Sequence, residues 1–287
     1  MIAQEFEYFA PKSLREAVEL LGRHGDAKVL GGGMSLIPAL KHRLQVPKAL
    51  IDLARVSELG ESVSERRGAL AIGGRTTHAT LAASPELADV HAVREAAAAI
   101  GDVQVRNRGT IGGSLVHADP AADWPAVFLA LDGEATVAGA RGERTVAASQ
   151  FFTGMLQSAV KRDEVLTEVR LSVERKRAGT AYRKLRQAAS GFAVVGVAAQ
   201  VTLDRRGRIE RACVGVTGVN PVPFRASALE KRLAGETPDE PTLRRLCARI
   251  DEADPTEDLH ASAEYRAHLV GVFAARALAA AAQRASA

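Results

Sequence analysis

Two short glycine clusters carry the residue types that let a backbone hold an anion. They are "LGGGMSL", with Gly31, Gly32 and Gly33, and "GTIGGSL", with Gly112 and Gly113. Glycine has no Cβ and tolerates positive φ, so peptide amides can approach a phosphate closely. One such cluster is more typical of an ordinary turn. With two clusters, ordinary turns and a two-part diphosphate site both stay open.

The familiar nucleotide motifs do not fit either cluster. The sequence has no GxxxxGK[ST], and "GRTTHATL" lacks the lysine that a P-loop needs. A GxGxxG motif between a strand and a helix, with an acid about 20 residues further on, is also missing. If a dinucleotide binds here, we expect another kind of fold.

The elements around the first cluster form a small βα unit. Ser13 and Glu16 make a capping box that begins a helix, and the strand "AKVL" then runs into Gly31. The stretch "SLIPALKHRL" is predicted to be helical, with Ser35 as its cap and Pro38 in the tolerated first turn. The predicted apolar face of that helix consists of Leu36, Leu40 and Leu44. "KALIDL" and "ALAIGG" are predicted strands.

A broken helix leads into the second cluster. Residues 81–100 are predicted to be helical, with a break at Ser84 and Pro85. After the cluster, Asp123 is predicted to cap the helix "WPAVFLAL", with Pro125 in its first turn. "DEVLTEVRL" and "ERTVAASQFF" add strands and a turn.

A charged run, "SVERKRAGTAYRKLRQ", marks a change in composition. It is either a connection between domains or a solvated face, and charge runs favour the solvated face. Beyond it, "FAVVGVAAQVTL" and "IERACVGVTGV" alternate like antiparallel strands, with "DRRGR" as the hairpin turn. Helices are predicted from Ser227, Glu240 and Ala261.

Composition limits the class of protein. Hydrophobic residues make up 47% and charged residues 25%, as in soluble globular proteins, and the 38 basic side chains are scattered among 34 acidic ones. We therefore expect no nucleic-acid partner.

The two cysteines, Cys213 and Cys247, are too few to hold an iron–sulfur cluster or a structural zinc ion. The start has no signal-peptide pattern and "HLVGVFAARALAAAAQ" contains Arg276, so we expect a cytoplasmic chain without a membrane span.

Three stretches resemble a known family. "GGGMSLIPALKHRL", "QVRNRGTIGGSLVHADPAADWPAV" and "GVNPVPFRASALEKRLAG" are similar to the FAD-binding medium subunits of the molybdenum hydroxylases. That family serves carbon monoxide, nicotine, xanthine and related aromatic or N-heterocycle dehydrogenases. The resemblance runs from "FEYFAPKSLREAVELL" to "AEYRAHLVGVFAARAL".

The resemblance implies an α+β fold of the vanillyl-alcohol-oxidase (PCMH-like) type. Two FAD-binding subdomains would cover residues 1–56 and 57–175, and a C-terminal domain of antiparallel sheet and helices would cover residues 178–287. The implied FAD-binding residues are Gly31, Gly32, Gly33, Met34, Ser35, Gly109, Thr110, Ile111, Gly112, Gly113, Ser114, Asp123, Leu166 and Lys184. The diphosphate would lie on the glycine clusters, Asp123 near the ribityl or adenosine part, and Leu166 against a ring.

Electron transfer is the implied function. A large molybdopterin-binding partner would oxidise the substrate, and a small partner with two-iron two-sulfur clusters would pass electrons to the FAD. The FAD would reduce a quinone, NAD or another acceptor, and the heterotrimer could pair into a dimer of heterotrimers. No catalytic or metal-binding residue is expected. A stand-alone flavin oxidase or reductase, and a flavin-free assembly protein, are the alternatives.

Some residues depart from the family pattern or stay unassigned. Gly31 stands where many members have alanine, and Phe192 stands near the ring where many have tyrosine. Phe192 can stack on a flavin but cannot donate a hydrogen bond. His78 and His117 fit structural roles better than general-base roles. Arg106 and Arg108 either steady the diphosphate or pack against the chain.

Overall fold

The computed structural model describes residues 2–66 and 68–286. The N-terminal elements are β1 (Glu7–Phe9), α1 (Leu14–Arg23), β2 (Ala27–Leu30), α2 (Leu36–Lys41) and β3 (Ala49–Asp52), followed by 3-10 turns at Leu53–Arg55 and Ser57–Leu59. The strands form a parallel sheet in the order β1-β3-β2. Ser13 caps α1 as predicted, whereas the Glu16 carboxylate accepts from the Lys12 amide.

Helix α2 is shorter than predicted. It ends at Lys41, and Arg43 adopts a left-handed conformation with φ of 55°. Leu44 therefore lies beyond the helix and is 80% exposed, so it shares no buried face with Leu40. The prediction of a continuous helix through "HRL" is wrong, because local apolar spacing does not reveal where the chain reverses.

The middle elements build an antiparallel sheet with helices packed on it. They are β4 (Val63–Arg66), β5 (Ala69–Gly73), α3 (His78–Ala83), a 3-10 turn (Pro85–Leu87), α4 (His91–Ala99), α5 (Val103–Arg108), α6 (Ile111–His117), α7 (Trp124–Ala130), β6 (Glu134–Gly139), β7 (Gly142–Ala147), α8 (Ala148–Phe151), β8 (Phe152–Gly154), β9 (Gln157–Ser158) and β10 (Val165–Ser172). The sheet order is β4-β5-β10-β6-β7, and β8 and β9 form a separate hairpin. Trp124, Phe128 and Phe151 are the largest fully buried side chains of its core.

The C-terminal elements form a second antiparallel sheet covered by helices. They are β11 (Ala178–Arg186), β12 (Ala193–Leu203), β13 (Ile209–Thr217), β14 (Phe224–Arg225), α9 (Ser227–Leu233), α10 (Glu240–Cys247) and α11 (Ala263–Ala285). The predicted hairpin of β12 and β13 is confirmed. The first half of the charged run, up to Arg177, is a largely exposed connection between β10 and β11. Its second half is not a solvated face, because it forms β11, where Ala181 and Tyr182 are buried. The last helix begins after a Ser262 cap, two residues later than predicted.

The connection between α6 and α7, residues 119–123, is bonded to the C-terminal sheet at the end of β13. Gly218 donates its amide to the Pro120 carbonyl at 2.7 Å, and the Thr217 hydroxyl donates to the Ala122 carbonyl at 2.7 Å. The predicted α+β class is confirmed, and the division at 1–56, 57–175 and 178–287 stays a prediction. Within the described ranges no helix is both long and apolar enough to cross a bilayer.

Candidate functional site

A cavity of about 640 Å³ lies between the three sheets. Its lining includes residues 31–36, 112–114, 164–166 and 190–192. The size falls within the range of about 300–1,000 Å³ that is typical of small-molecule and cofactor sites. Both glycine clusters therefore border one cavity, although about 80 residues separate them in sequence.

The first glycine segment offers free backbone donors to this cavity. It follows β2 directly, and Gly33 has a φ of 80°, which favours glycine. The amides of Gly32, Gly33, Met34 and Ser35 donate no hydrogen bond to any other residue in the described part of the chain. Successive free amides of this kind attract an anion without desolvating a charged side chain.

Ser35 does not cap α2, contrary to the prediction. Its backbone is helical, with φ of −103° and ψ of −44°, whereas a capping residue needs an extended backbone to aim its oxygen at the first turn. The hydroxyl consequently makes no cap hydrogen bond and lines the cavity with the amides.

The second glycine segment is the first turn of α6. Thr110 caps the helix, and all four following amides already have acceptors inside the protein. The Ile111 amide donates to the Thr76 carbonyl at 3.0 Å, and the Gly112 amide donates to the Gly74 carbonyl at 3.0 Å. Thr110 accepts the other two bonds, from the Gly113 amide on its Oγ1 at 3.1 Å and from the Ser114 amide on its carbonyl at 3.0 Å. These amides are therefore not free for an anion.

The glycines of the two segments allow the chain to pack on itself. A Cβ on Gly32 would overlap the Arg108 carbonyl and lie 2.8 Å from the Gly109 Cα. A Cβ on Gly109 would lie 2.7 Å from His78 Nε2. Contacts below about 3.0 Å to backbone force a shift of the main chain. Gly32 and Gly109 therefore set how closely the first segment lies against the turn before α6.

Gly112 is packed closely against neighbouring backbone and side-chain atoms. Its Cβ would lie 2.5 Å from the Gly74 carbonyl oxygen and 3.1 Å from Leu166 Cδ2. Gly112→Val is expected to abolish FAD retention by pushing α6 away from β5 and β10. Flavin absorbance after gel filtration measures the retention. Gly22→Val is the matched control, since nothing lies within 4 Å of that Cβ; equal retention in both variants would contradict the expectation.

The remaining predicted residues do not all reach the cavity. Leu166, on β10, lines it and is 6% exposed, and Met34 lies at its edge with 37% exposure. Ile111, the first residue of α6, is buried and is not part of the lining. Lys184 is also outside the lining, and its ammonium bonds to Asp123 and to the Gly191 carbonyl.

Asp123 forms part of the cavity wall, and two residues of β11 contact its carboxylate. The Tyr182 hydroxyl donates to its Oδ1 at 2.5 Å, and Lys184 Nζ lies 2.7 Å from the same oxygen. Neither of these two contacts involves Oδ2. Burial raises the pKa of Asp123, while the Lys184 ammonium and the Tyr182 hydroxyl act in the opposite direction. The predicted cap on α7 is wrong, because Asp123 is itself helical and its side chain turns to β11.

His78 has a structural role, as the sequence favoured. Its Nδ1 accepts a hydrogen bond from Trp124 Nε1 at 3.1 Å, so the ring proton is on Nε2. Burial, and then the charge of Arg106, lowers the pKa of His78 to about 4. At neutral pH the imidazole is therefore uncharged.

Acid is expected to destabilise the protein through His78. The imidazole has an ordinary pKa of 6.5 when unfolded and about 4 when folded, so the unfolded chain binds the proton first. Stability falls as pH drops through this window, by about 3 kcal/mol at pH 4. Urea unfolding of the wild type and of His78→Gln at both ends of the window measures it. Identical pH dependence in the two proteins would contradict the assignment.

Several cations line the cavity or stand near it. Arg106 donates to the carbonyls of Ile100 at 2.9 Å and Gly101 at 3.2 Å, so of its two open interpretations packing against the chain is the one observed. Lys28, Lys161 and Arg162 belong to the lining. Asp26, Asp119, Asp123 and Glu164 also belong to the lining, so the cavity wall carries charges of both signs.

Several lining residues are not among those predicted from the sequence. Gly74 and Arg75 border the cavity, and so do the β8–β9 hairpin and the turn at Gly101. The glycine pair in "IGGRTT" was an available signal for Gly74, whose Cβ would lie 2.5 Å from the Leu166 carbonyl oxygen. The hairpin gave no comparable signal, because its place depends on distant packing.

A large cavity bordered by free glycine amides, set between α+β layers, is typical of a dinucleotide-binding protein. Comparison with known proteins makes the class specific. Residues 4–172 match the FAD binding domain in molybdopterin dehydrogenase, and residues 180–281 match the CO dehydrogenase flavoprotein C-terminal domain. The chain belongs to the FAD-binding medium subunits of the molybdenum hydroxylases and is an oxidoreductase subunit.

The similarity extends over the whole chain. The carbon monoxide dehydrogenase medium chain of Hydrogenophaga pseudoflava is 37% identical and covers 97% of both chains. The nicotine 6-hydroxylase medium subunit of Paenarthrobacter nicotinovorans is 35% identical over 92% of both. A solved carbon monoxide dehydrogenase from H. pseudoflava superposes with a TM-score of 0.94 at 38% identity, covering 99% of both chains. The quinoline 2-oxidoreductase of Pseudomonas putida 86 gives 0.93 at 31% identity, covering 100% of both.

Proposed function

We propose that this chain holds FAD in the glycine-lined cavity and passes electrons from an iron–sulfur subunit to an external acceptor. The observation that carries the proposal is the set of free amides at residues 32–35, which face a cavity of about 640 Å³. Bound FAD supplies the redox chemistry, taking up and releasing electrons. The residues of this chain then bind and orient it, and none needs to act as an acid or base.

The diphosphate is proposed to lie on the first segment. The amides of Gly32, Gly33, Met34 and Ser35 and the Ser35 hydroxyl are the donors available there. Helix α6 contributes shape, because its amides are already bonded, and Gly113 and Ser114 bring its surface to the cavity. This refines the sequence-based site, in which both segments donated equally.

Asp123 and Leu166 are proposed to hold the rest of the cofactor. Tyr182 and Lys184 both bond to Asp123 Oδ1, so Oδ2 can accept a hydrogen bond from a ribityl or adenosine hydroxyl. Leu166 offers an apolar surface on β10 for a ring to pack against. Ile111 and Lys184 act from behind the cavity wall.

The partners of the proposal are a large molybdopterin-binding subunit and a small subunit with two-iron two-sulfur clusters. This chain offers no thiolates for clusters, since Cys213 and Cys247 are buried and burial raises their pKa to about 11 and about 12. Free thiols also support a cytoplasmic location. The acceptor is proposed to be a quinone, NAD or another oxidant, and the complex a heterotrimer that can pair into a dimer.

Reconstitution separates the proposal from its two alternatives. The purified chain, incubated with FAD and gel-filtered, is expected to keep flavin absorbance bands, and reduced iron–sulfur partner is expected to bleach them. Absence of the bands would favour a flavin-free assembly protein. Turnover of a small substrate without any partner would favour a stand-alone oxidase or reductase.

A further inference from the structure

A second groove lies at the end of the C-terminal sheet that is remote from the main cavity. It has a volume of about 520 Å³ and lies between the β10–β11 connection, the β12–β13 turn and Gly235, which stands between α9 and α10. The nine residues of β11 run from this groove towards the 190–192 segment of the main cavity. A strand advances about 3.3 Å per residue, so the two sites are about 25 Å or more apart.

Cations outnumber acids in the lining of this groove. Lys176, Arg177 and Arg205 belong to it, together with Asp204 and Glu210. All three cations are exposed, and none of them forms an ion pair with a carboxylate of residues 2–66 or 68–286, although arginines close by in sequence do. Their charges are therefore available to an anionic ligand.

Asp204 holds the β12–β13 turn together. Its Oδ1 accepts hydrogen bonds from the Arg206 amide at 2.7 Å and from the Arg208 amide at 2.9 Å, and its own amide donates to the Arg208 carbonyl at 2.9 Å. The Arg208 amide, more than any other group, lowers the pKa of Asp204. This carboxylate is thus bonded within the turn. Arg205 extends from a fixed backbone, which reduces the entropy lost on binding.

The segments that form the groove are bonded to one another. The Leu203 amide donates to the Arg177 carbonyl at 2.9 Å, which joins the β10–β11 connection to the β12–β13 turn. Arg208 Nη1 donates to the Gly235 carbonyl at 2.9 Å, so a fourth guanidinium lies beside the lining. The spacing of the cations is therefore set by the fold of the C-terminal sheet.

We propose that this groove binds a phosphate group, with the Arg177 and Arg205 guanidinium groups and the Lys176 ammonium as donors. A guanidinium can bond two phosphate oxygens at once, and an ammonium adds a compact charge. The large hydrophobic side chains that are exposed in the described ranges all lie outside the groove, so recognition depends on charge. The phosphate belongs to a small soluble compound or to an anionic lipid headgroup. The site is separate from the FAD cavity and does not depend on the proposed function.

Titration of the FAD-loaded full chain with inorganic pyrophosphate tests the site. Bound FAD keeps pyrophosphate out of the main cavity, and isothermal calorimetry measures the dissociation constant. Arg177→Gln combined with Arg205→Gln is expected to weaken binding by about tenfold or more, because two charge-assisted donors are lost. Added salt is expected to weaken binding to the wild type, because exposed charges are screened.

Vesicles separate the two sources of the phosphate. Sedimentation of the chain is compared between vesicles of phosphatidylglycerol with phosphatidylcholine and vesicles of phosphatidylcholine alone. Sedimentation with the anionic vesicles without binding of pyrophosphate identifies a headgroup, and the opposite result identifies a soluble compound. In each case the Arg177→Gln, Arg205→Gln protein is expected to lose the interaction.

Arg244→Gln combined with Arg249→Gln is the matched control. Both arginines are exposed in the C-terminal domain, and they pair with Glu240 and Asp251 outside the groove. This protein loses the same number of charges and is expected to bind like the wild type, with circular dichroism as the check of folding. An equal loss in both double variants would overturn the inference, as would a wild type that binds neither pyrophosphate nor anionic vesicles.

Failure of the wild type to bind FAD would overturn the proposed function alone. The two double variants are then compared in the flavin-free chain, where any pyrophosphate bound in the main cavity is common to both. A weaker affinity in the groove variant than in the control would still support the site, and equal affinities would overturn it.

Discussion

Gly32→Ala is expected to abolish FAD retention. The added methyl group overlaps the Arg108 carbonyl and lies 2.8 Å from the Gly109 Cα, so the first glycine segment must move away from the turn before α6. Overpacking of this kind costs about 1–3 kcal/mol of stability, and here it also displaces the amides proposed to hold the diphosphate. Flavin absorbance after gel filtration measures the loss, and circular dichroism reports whether the fold persists.

Gly22→Ala is the control for this prediction. Gly22 lies in α1, has nothing within 4 Å of its Cβ position, and does not line the cavity. Alanine also favours the helical backbone there. Wild-type flavin content is therefore expected in Gly22→Ala. Wild-type content in Gly32→Ala as well would show that the cofactor does not depend on this contact.

Arg266→Met is expected to lower the free energy of unfolding by about 2–5 kcal/mol. Arg266 is 4% exposed, and its guanidinium donates to the carbonyls of Val194 and Gly218 and to Asp258. Methionine fills the space but leaves two buried carbonyls without donors. Since the Gly218 amide bonds to Pro120, near Asp123, FAD affinity is expected to fall as well.

Arg276→Met is the matched control on the same helix. Arg276 is exposed, and its guanidinium stacks 5.1 Å above the Phe273 ring. A surface substitution of this kind changes stability by about 0.5 kcal/mol or less. Urea unfolding of both variants measures the difference. Equal midpoints and slopes for the two would contradict the role given to the buried guanidinium.

The elements of the fold that depend on neighbouring residues were predictable from local sequence patterns. Alternating apolar residues around "DRRGR" predicted the β12–β13 hairpin, and the Ser13 cap predicted the start of α1, because both depend on near neighbours. The end of α2 at Lys41 was not predictable in this way. It depends on the left-handed Arg43, which no neighbouring glycine or proline announces.

The sequence predicted which glycines lie at the site, but it did not predict what those glycines do there. The clusters marked the right places, yet Gly112 serves packing against Gly74, a partner 38 positions away in the sequence. Similarly, the charged run concealed a buried strand. Lys184 was expected to bind FAD, but its ammonium bonds to Asp123 and Gly191, which distant parts of the fold bring to it.

The most direct test of the central claim is an experimental structure of the chain with FAD bound. The account predicts the diphosphate within hydrogen-bonding distance of the amides of residues 32–35, with α6 packed beside it and a cofactor hydroxyl at Asp123 Oδ2. A diphosphate held elsewhere, with those four amides facing only solvent, would contradict it.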